Sequence, residues 1–173
     1  MLLRTHVIFT AAVLALLGAA LSSPLLAWCG VPISFLANYI IDGFGHTRRR
    51  WGRRLYVSRT PLTHTPTHSA VAGALAAIPV AAALYFYSYP SLAPAAVALG
   101  AVAGLSHVFL DAFTEAGIFV KRGGTYRRAA IAHLTYNNAA ANTSISILSL
   151  LVAAAVLLHA LQTPGLQGLV LTH

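Results

Sequence analysis

Charged residues are scarce in this chain. They make up 8% of its 173 residues, against roughly 25% in an average soluble domain. Three stretches, 7–41, 69–110 and 129–173, contain no Asp, Glu, Lys or Arg. A helix that crosses a bilayer needs about 20 apolar residues, and soluble cores rarely supply runs of that length. The lack of charge therefore argues against an ordinary soluble domain and predicts a membrane protein.

Cysteine is nearly absent as well, with Cys29 as its single copy. One cysteine cannot form an internal disulfide, and it cannot build a cysteine zinc cluster. The sequence also lacks a Gly-rich phosphate loop, a nucleophile elbow and the HExxH zinc motif. The sequence therefore gives no support for the enzyme classes that these short motifs identify.

The charges that are present are unbalanced, with 11 basic residues against three acidic ones and a net charge of +8. Such an excess is typical of a protein that meets a polyanion, either nucleic acid or anionic lipid headgroups. Because the basic residues lie between apolar runs, we expect membrane lipids as partners and no nucleic acid.

Breaks within the apolar runs divide them into five helices. Pro90 cannot continue a helix and lies among aromatic residues, and Pro24 follows two serines. The expected fold is an all-α polytopic membrane bundle of five transmembrane or membrane-embedded helices, forming one domain over residues 1–173. A homo-oligomer is compatible with this plan. The expected helices are 7–21, 25–41, 69–88, 92–113 and 143–162, with loops at 42–68 and 114–142 and an unassigned tail at 163–173.

The basic residues also predict the direction of the helices. With the N-terminus in the cytoplasm, all 11 fall on the cytoplasmic side, at Arg4 and in the loops 42–68 and 114–142, as the positive-inside rule requires. We therefore expect a multi-pass protein of the cell membrane. A competing interpretation makes residues 1–27 a signal peptide, which would remove His6 from the mature protein.

All three acids and six of the eight histidines fall at the cytoplasmic ends of the expected helices. Residues four apart share one helix face. Three such pairs are present: Asp42 with His46, His64 with His68, and His107 with Asp111. Imidazole and carboxylate together are ligands for zinc, iron or manganese. We expect a divalent metal site of one or two ions, with zinc favoured, on the cytoplasmic side.

Simpler roles compete with this interpretation. A lone histidine near a membrane boundary usually lies at the interface, which is our expectation for His133, His159 and His173. Asp42 could cap a helix or pair with a loop arginine. Asp111 is harder to explain in this way because it directly follows the uncharged run 69–110. An ionisable side chain at the edge of the hydrocarbon is a functional hypothesis by default.

The polar residues at the helix ends resemble those of the YdjM-like family, which is described as predicted membrane-bound metal-dependent hydrolases. The most specific similarity is the stretch Ser106–Thr114, and the segments 38–69 and 132–142 look closer to an uncharacterised archaeal branch. The family is similar to zinc-dependent phospholipases C, which implies a phosphoester or phospholipid substrate. The resemblance also implies metal ligands at the matching positions: His6, Asp42, His68, His107 and Asp111.

One of these positions has two candidates. The family often has His-Arg-Gly-x-Thr-His-Ser before its third helix, and two registers fit that pattern here. Thr63-His64-Thr65 keeps the upstream spacing, whereas Thr67-His68-Ser69 keeps the junction with the helix. The junction favours His68, and both histidines stay candidates.

The expected function is a membrane-embedded metal-dependent hydrolase. In it, Glu115 or His46 would act as general base or acid, and Arg59 would hold a phosphate. Two alternatives stay open. The metal could be a structural clip in a non-catalytic scaffold or assembly protein. The protein could also transport metal ions, although ligands at one membrane edge rather than the midplane disfavour transport.

Overall fold

The computed structural model describes residues 1–52 and 54–162. Arg53 and the tail 163–173, which contains His173 and was left unassigned in the sequence analysis, lie outside the described residues. The helices are α1 (Leu3–Ala20), α2 (Pro24–Gly45), α3 (Pro66–Ala76), α4 (Ile78–Phe86), α5 (Ala93–Asp111) and α6 (Ala139–Leu161), with a 3-10 turn at Pro90–Leu92. The strands are β1 (His46–Trp51), β2 (Arg54–Arg59), β3 (Ile118–Arg122) and β4 (Thr125–Ala129).

Five helical spans are long and apolar enough to cross a membrane, as the sequence predicts. Four of them correspond to α1, α2, α6 and the stretch Pro90–Asp111. The fifth span, Pro66–Phe86, consists of α3 and α4 joined at Ala77. Pro79 enters at the start of α4, and a proline interrupts the backbone hydrogen bonds of a continuous helix. The chain is therefore mostly helical, with small sheets in addition.

Side-chain caps fix where several helices begin. The Ser23 hydroxyl accepts a hydrogen bond from the Leu26 amide, and Pro24 follows at the first helical position. Thr65 caps α3 in the same way, by accepting from the His68 amide ahead of the same kind of proline start. Such Ser/Thr caps followed by proline are strong helix-start signals. The cap at Thr65 leaves His64 ahead of α3 and puts His68 within its first turn.

Two antiparallel hairpins replace the predicted loops. Strands β1 and β2 pair from His46 with Arg59 to Trp51 with Arg54, and β3 and β4 pair from Ile118 with Ala129. The turns use glycines with positive φ, which favours glycine: Gly52, Gly123 and Gly124. Both hairpins follow the C-terminal end of a helix, α2 or α5. Both hairpins lie within the segments that the sequence predicts as loops, 42–68 and 114–142.

The helices alternate in direction, so five helix termini meet at one end of the bundle. These are the beginnings of α1, α3 and α6 and the ends of α2 and α5. Helix α1 is packed within the bundle, and its Leu14 and Ala15 are fully buried. Helices α3 and α5 approach closely at Gly73 and Gly104. A Cβ at either position would overlap the backbone of the other helix, so the approach requires glycine there. This packing holds the end of α5, with His107 and Asp111, beside the segment that precedes α3.

Candidate metal centre

Four side-chain atoms converge where these helix ends meet. His107 Nε2 lies 3.4 Å from Asp42 Oδ1 and 3.3 Å from Asp111 Oδ2. His64 Nε2 lies 3.7 Å from the same Asp42 oxygen and 3.6 Å from the same Asp111 oxygen. The four residues come from the last turn of α2, the segment before α3, and the last two turns of α5.

His107 makes a hydrogen bond on the side of its ring that faces away from the centre. That bond determines which ring nitrogen faces the centre. The Asn38 amide nitrogen donates to the Ser34 carbonyl oxygen at 2.8 Å, so the Asn38 amide oxygen is the atom turned to His107. His107 Nδ1 donates to that oxygen at 2.8 Å. In the neutral ring, His107 Nε2 then carries the lone pair and faces the two carboxylates. A buried partner that orients a histidine in this way is typical of metal-binding histidines.

His64 is oriented by the same kind of contact. The Thr63 hydroxyl donates to the Ile41 carbonyl oxygen at 2.8 Å, so its oxygen is available to accept from His64 Nδ1 at 3.2 Å. His64 Nε2 is therefore also a lone-pair atom. Gly45 makes room for this arrangement, because a Cβ there would overlap both Thr63 and the His64 ring. Each of the two imidazole Nε2 atoms thus lies within 3.7 Å of both carboxylate oxygens.

The arrangement fits a bound divalent cation. His64 Nε2, His107 Nε2 and Asp111 Oδ2 are buried and have no hydrogen-bond partner among the described residues. Acceptor atoms facing one another without a donor are costly when buried, and a cation between them removes that cost. Donor atoms in a tetrahedral zinc shell, with bonds of about 2.0–2.1 Å, are separated by about 3.3–3.4 Å. The four measured separations, from 3.3 to 3.7 Å, are close to that value.

The centre is enclosed on most sides and open on one. The side chains of His64, His107 and Asp111 are fully buried, whereas Asp42 is 25% exposed and the neighbouring His46 is 22% exposed. Burial lowers the pKa of His64 below its ordinary value, although the nearby Asp42 opposes the shift. The lowered pKa keeps the imidazole neutral, which is the form that binds a metal. A ligand would therefore reach the centre past Asp42 and His46.

Comparison with known proteins gives a family but no function. A family model described as "Protein of unknown function (DUF1286)" matches residues 1–110, which is more than half of the chain. The chain belongs to the DUF1286 family. No curated protein and no solved structure matches it. The match includes Asp42, His64 and His107, and it ends one residue before Asp111.

Two further predicted residues lie beside the four-atom centre of this DUF1286 protein. His6 Nε2 is 3.1 Å from Asp111 Oδ1, the oxygen that faces away from the four-atom centre, and its ring stacks on His107 at 4.1 Å. His46 Nδ1 donates to the Asp42 carbonyl oxygen at 2.8 Å and lies 3.6 Å from Asp42 Oδ1. The described groups able to hold an ion include both residues, His6 with His107 and Asp111, and His46 with Asp42 and His64.

The preference for His68 over His64 is not supported by the geometry. The His68 side chain is exposed, its Nδ1 donates to the Pro61 carbonyl oxygen at 2.9 Å, and its ring lies 6.2 Å from that of Tyr126. The physical reason is the cap at Thr65. It begins the helix after His64, so His64 stays in the turn segment before α3, where it is buried, and His68 falls on an exposed face of α3.

Two other predicted site residues lie outside the four-atom centre. Glu115, predicted as a general base or acid, follows the end of α5 at Asp111, and its side chain is exposed. Arg59 does not present a free guanidinium for phosphate. Its Nη2 donates to Asp111 Oδ1 at 2.6 Å, and its Nη1 donates to Thr114 Oγ1 at 2.9 Å and to the Gly117 carbonyl oxygen at 3.1 Å.

The orienting residues Asn38 and Thr63 were not identified as site residues from sequence. A signal for Asn38 was present, because it lies one helical turn before Asp42 in a run that is otherwise nearly all apolar. Thr63 had no such signal, since it is one of four threonines between Thr60 and Thr67. Asn142 was noted only as part of the archaeal resemblance. It is buried and ties α6 to α1 by accepting from the Leu2 amide at 2.9 Å and the Thr5 hydroxyl at 2.8 Å.

Proposed function

We propose that this DUF1286 protein is a membrane-embedded metal-dependent hydrolase that acts on a phosphoester or lipid substrate at the cytoplasmic membrane surface. The observation that carries the proposal is the convergence of two imidazole nitrogens and two carboxylate oxygens, of which the two nitrogens and Asp111 Oδ2 are buried without a hydrogen-bond partner among the described residues. The proposed ligands are Asp42, His64, His107 and Asp111. Zinc suits this set of nitrogen and oxygen donors, as iron and manganese also do.

The position of the centre supports a substrate at the membrane surface. Its residues lie at the ends of spans, and the described Lys and Arg residues lie at the same end, in Arg4 and the two hairpins. By the positive-inside rule this end is cytoplasmic, which puts the N-terminus in the cytoplasm. Basic hairpins beside the open side of the centre favour an anionic substrate such as a phospholipid headgroup.

His46 is the residue best placed to move a proton. Its Nδ1 is used as a donor to the Asp42 carbonyl oxygen, so Nε2 carries the lone pair. Its ring lies 5.0 Å from the His64 ring on the exposed side of the centre. His46 Nε2 can therefore take a proton from an attacking water and return it to a leaving oxygen. A divalent ion in the centre would supply Lewis acidity to the phosphoryl or acyl oxygen.

A structural metal site is the second candidate, and one observation favours it. The centre offers four protein donors, and a closed four-ligand shell is typical of structural zinc, whereas catalytic zinc usually keeps three protein ligands and an open position. The partial exposure of Asp42 favours catalysis instead, because that ligand borders solvent. The two candidates differ in what metal removal does. It should unfold a structural site and should mainly abolish turnover in a catalytic one.

The test uses the full chain in vesicles that contain phosphatidylglycerol, together with a chromogenic phosphodiester in detergent. We expect zinc-dependent release of product in at least one assay. We also expect His46→Gln to lower kcat by about 10²–10⁴-fold while metal content is retained. The matched control is His68→Gln, an exposed histidine that lies outside the centre. Bound metal without turnover of either substrate, together with unfolding on chelation, would replace the hydrolase by the structural site.

A further inference from the structure

The two oxygens of the Asp111 carboxylate serve different partners. Oδ2 faces His64 and His107 and has no hydrogen-bond partner among the described residues. Oδ1 accepts from Arg59 Nη2 at 2.6 Å and lies 3.1 Å from His6 Nε2. Only one side of this fully buried carboxylate is therefore directed at the proposed metal position.

Arg59 is held firmly in this role. Its Nη1 donates to Thr114 Oγ1 and to the Gly117 carbonyl oxygen. The Thr114 hydroxyl in turn donates to the Asp111 main-chain oxygen at 2.8 Å. The guanidinium thus bridges the end of β2 and the segment after α5, and it is only 9% exposed. Its planar set of donors fixes the carboxylate as well as balancing its charge.

This arrangement bears on how many ions the centre holds. In two-metal hydrolytic sites the ions lie about 3.5–4 Å apart, and a carboxylate commonly bridges them with its two oxygens. Asp111 could bridge only through Oδ1, where a permanently charged guanidinium already lies. The described residues that could hold an ion form two groups with no residue in common: His6 with His107 and Asp111, and Asp42 with His46 and His64. In the first group the Asp111 oxygen 3.1 Å from His6 is Oδ1, which already accepts from Arg59 and lies 3.6 Å from the Met1 amine, so a second ion there would have to displace these cations.

We infer that Arg59 makes this a one-ion centre, because it occupies the Asp111 oxygen and supplies the positive charge that a second ion would bring. Arg59 is then a positioning residue that holds Asp111 to a single metal-facing oxygen. The inference rests on the proposed metal centre. It replaces the expectation of one or two ions by a definite number, and it replaces the substrate-binding role first predicted for Arg59.

The experiment titrates the full chain in detergent with Co²⁺ after treatment with a chelator, and follows stoichiometry and the visible absorption of the bound ion. The wild type should bind one ion per chain with the intense absorption of four-coordinate Co²⁺. In Arg59→Gln the guanidinium no longer occupies Asp111 Oδ1, and only His6 Nε2 and the Met1 amine lie beside that oxygen among the described residues. That variant should show the weaker absorption of a higher coordination number, or should take up a second ion. Arg59→Lys should restore the wild-type spectrum in part, and Arg127→Gln, an exposed hairpin residue, should not change it.

The outcomes separate this inference from the centre itself. Two ions bound to the wild type would overturn the inference and leave the metal centre intact. No ion bound to the wild type would remove the centre and the inference together. One ion with an unchanged spectrum in Arg59→Gln would refute the positioning role. If Arg59→Gln does not fold, the wild type and Arg59→Lys still test the inference. Two ions bound to the wild type would contradict it, and so would a changed number of ions bound to Arg59→Lys.

Discussion

The two ends of the helical bundle differ in architecture and in chemistry. At the end opposite the candidate metal centre, α1 turns into α2 and α4 turns into α5 without a hairpin, and polar side chains such as Ser22, Ser23 and His159 line a cavity. None of the described residues at that end is Asp, Glu, Lys or Arg. At the metal-centre end, acids and histidines are drawn inward and buried with their lone pairs facing one another. Turns and caps are needed at both ends, so they do not explain these buried groups, and the difference makes this end the candidate functional site.

The largest expected effect comes from removing the most buried member of that set. Asp111→Asn should lower metal affinity more than about 100-fold, which exceeds the loss usually seen for an outer-shell residue. It should also cost about 3–5 kcal/mol of stability, because it leaves Arg59 as a buried charge without its partner. Metal content after dialysis and the thermal unfolding midpoint measure the two effects.

Matched variants keep these effects separate. Asp42→Asn removes a ligand that is 25% exposed and is paired only with histidines, so it should lose metal with a smaller change in stability. Ser23→Ala, which removes a helix cap at the opposite end, should lose about 0.5–2 kcal/mol of stability and no metal. If Ser23→Ala lost as much metal as Asp42→Asn, the metal loss would reflect general destabilisation of the fold and not a site at one end of the bundle.

The next effect tests the contrast within a single short segment. His64→Ala should lower metal affinity strongly, because it removes a buried lone-pair donor that faces both carboxylates. Unlike Asp111→Asn, it leaves no buried guanidinium without its partner. His68→Ala, four residues away, should bind metal as the wild type does. Isothermal titration with Zn²⁺ on both proteins measures the difference. If His68→Ala lost metal binding and His64→Ala kept it, His68 would be the metal ligand, as the junction with α3 favours in the sequence.

Much of the fold and part of the centre could be predicted from sequence, because they follow from local patterns. Long uncharged runs give the spans, and four-residue spacing gives His107 with Asp111 and Asp42 with His46 on shared helix faces. The clustering of acids and histidines at one set of helix ends follows from alternating helix direction. No tertiary information is needed for any of these steps.

The remaining features depend on tertiary contacts or on a single cap. The β1–β2 hairpin carries arginines where an alternating apolar pattern would be needed to reveal a strand. The choice of His64 rests on the Thr65 cap, because a helix that began one turn earlier would turn a different histidine inward. Arg59 meets Asp111 across 52 positions of sequence, so neither residue's local sequence indicates that the arginine binds a ligand of the metal.

The smallest expected effect concerns a residue that would not contact the metal. Asn38→Leu removes the acceptor that holds the proton on His107 Nδ1 and so releases the ring orientation. Loss of such an outer partner typically costs about 10–100-fold in metal affinity, so the decrease should be smaller than for Asp111→Asn or His64→Ala. Asn38→Asp is the informative companion, because its carboxylate can still accept from Nδ1 and should retain more affinity than leucine. An Asn38→Leu protein with wild-type Zn²⁺ affinity would show that packing alone orients His107. The hydrogen bond from His107 to Asn38 would then contribute nothing to metal binding.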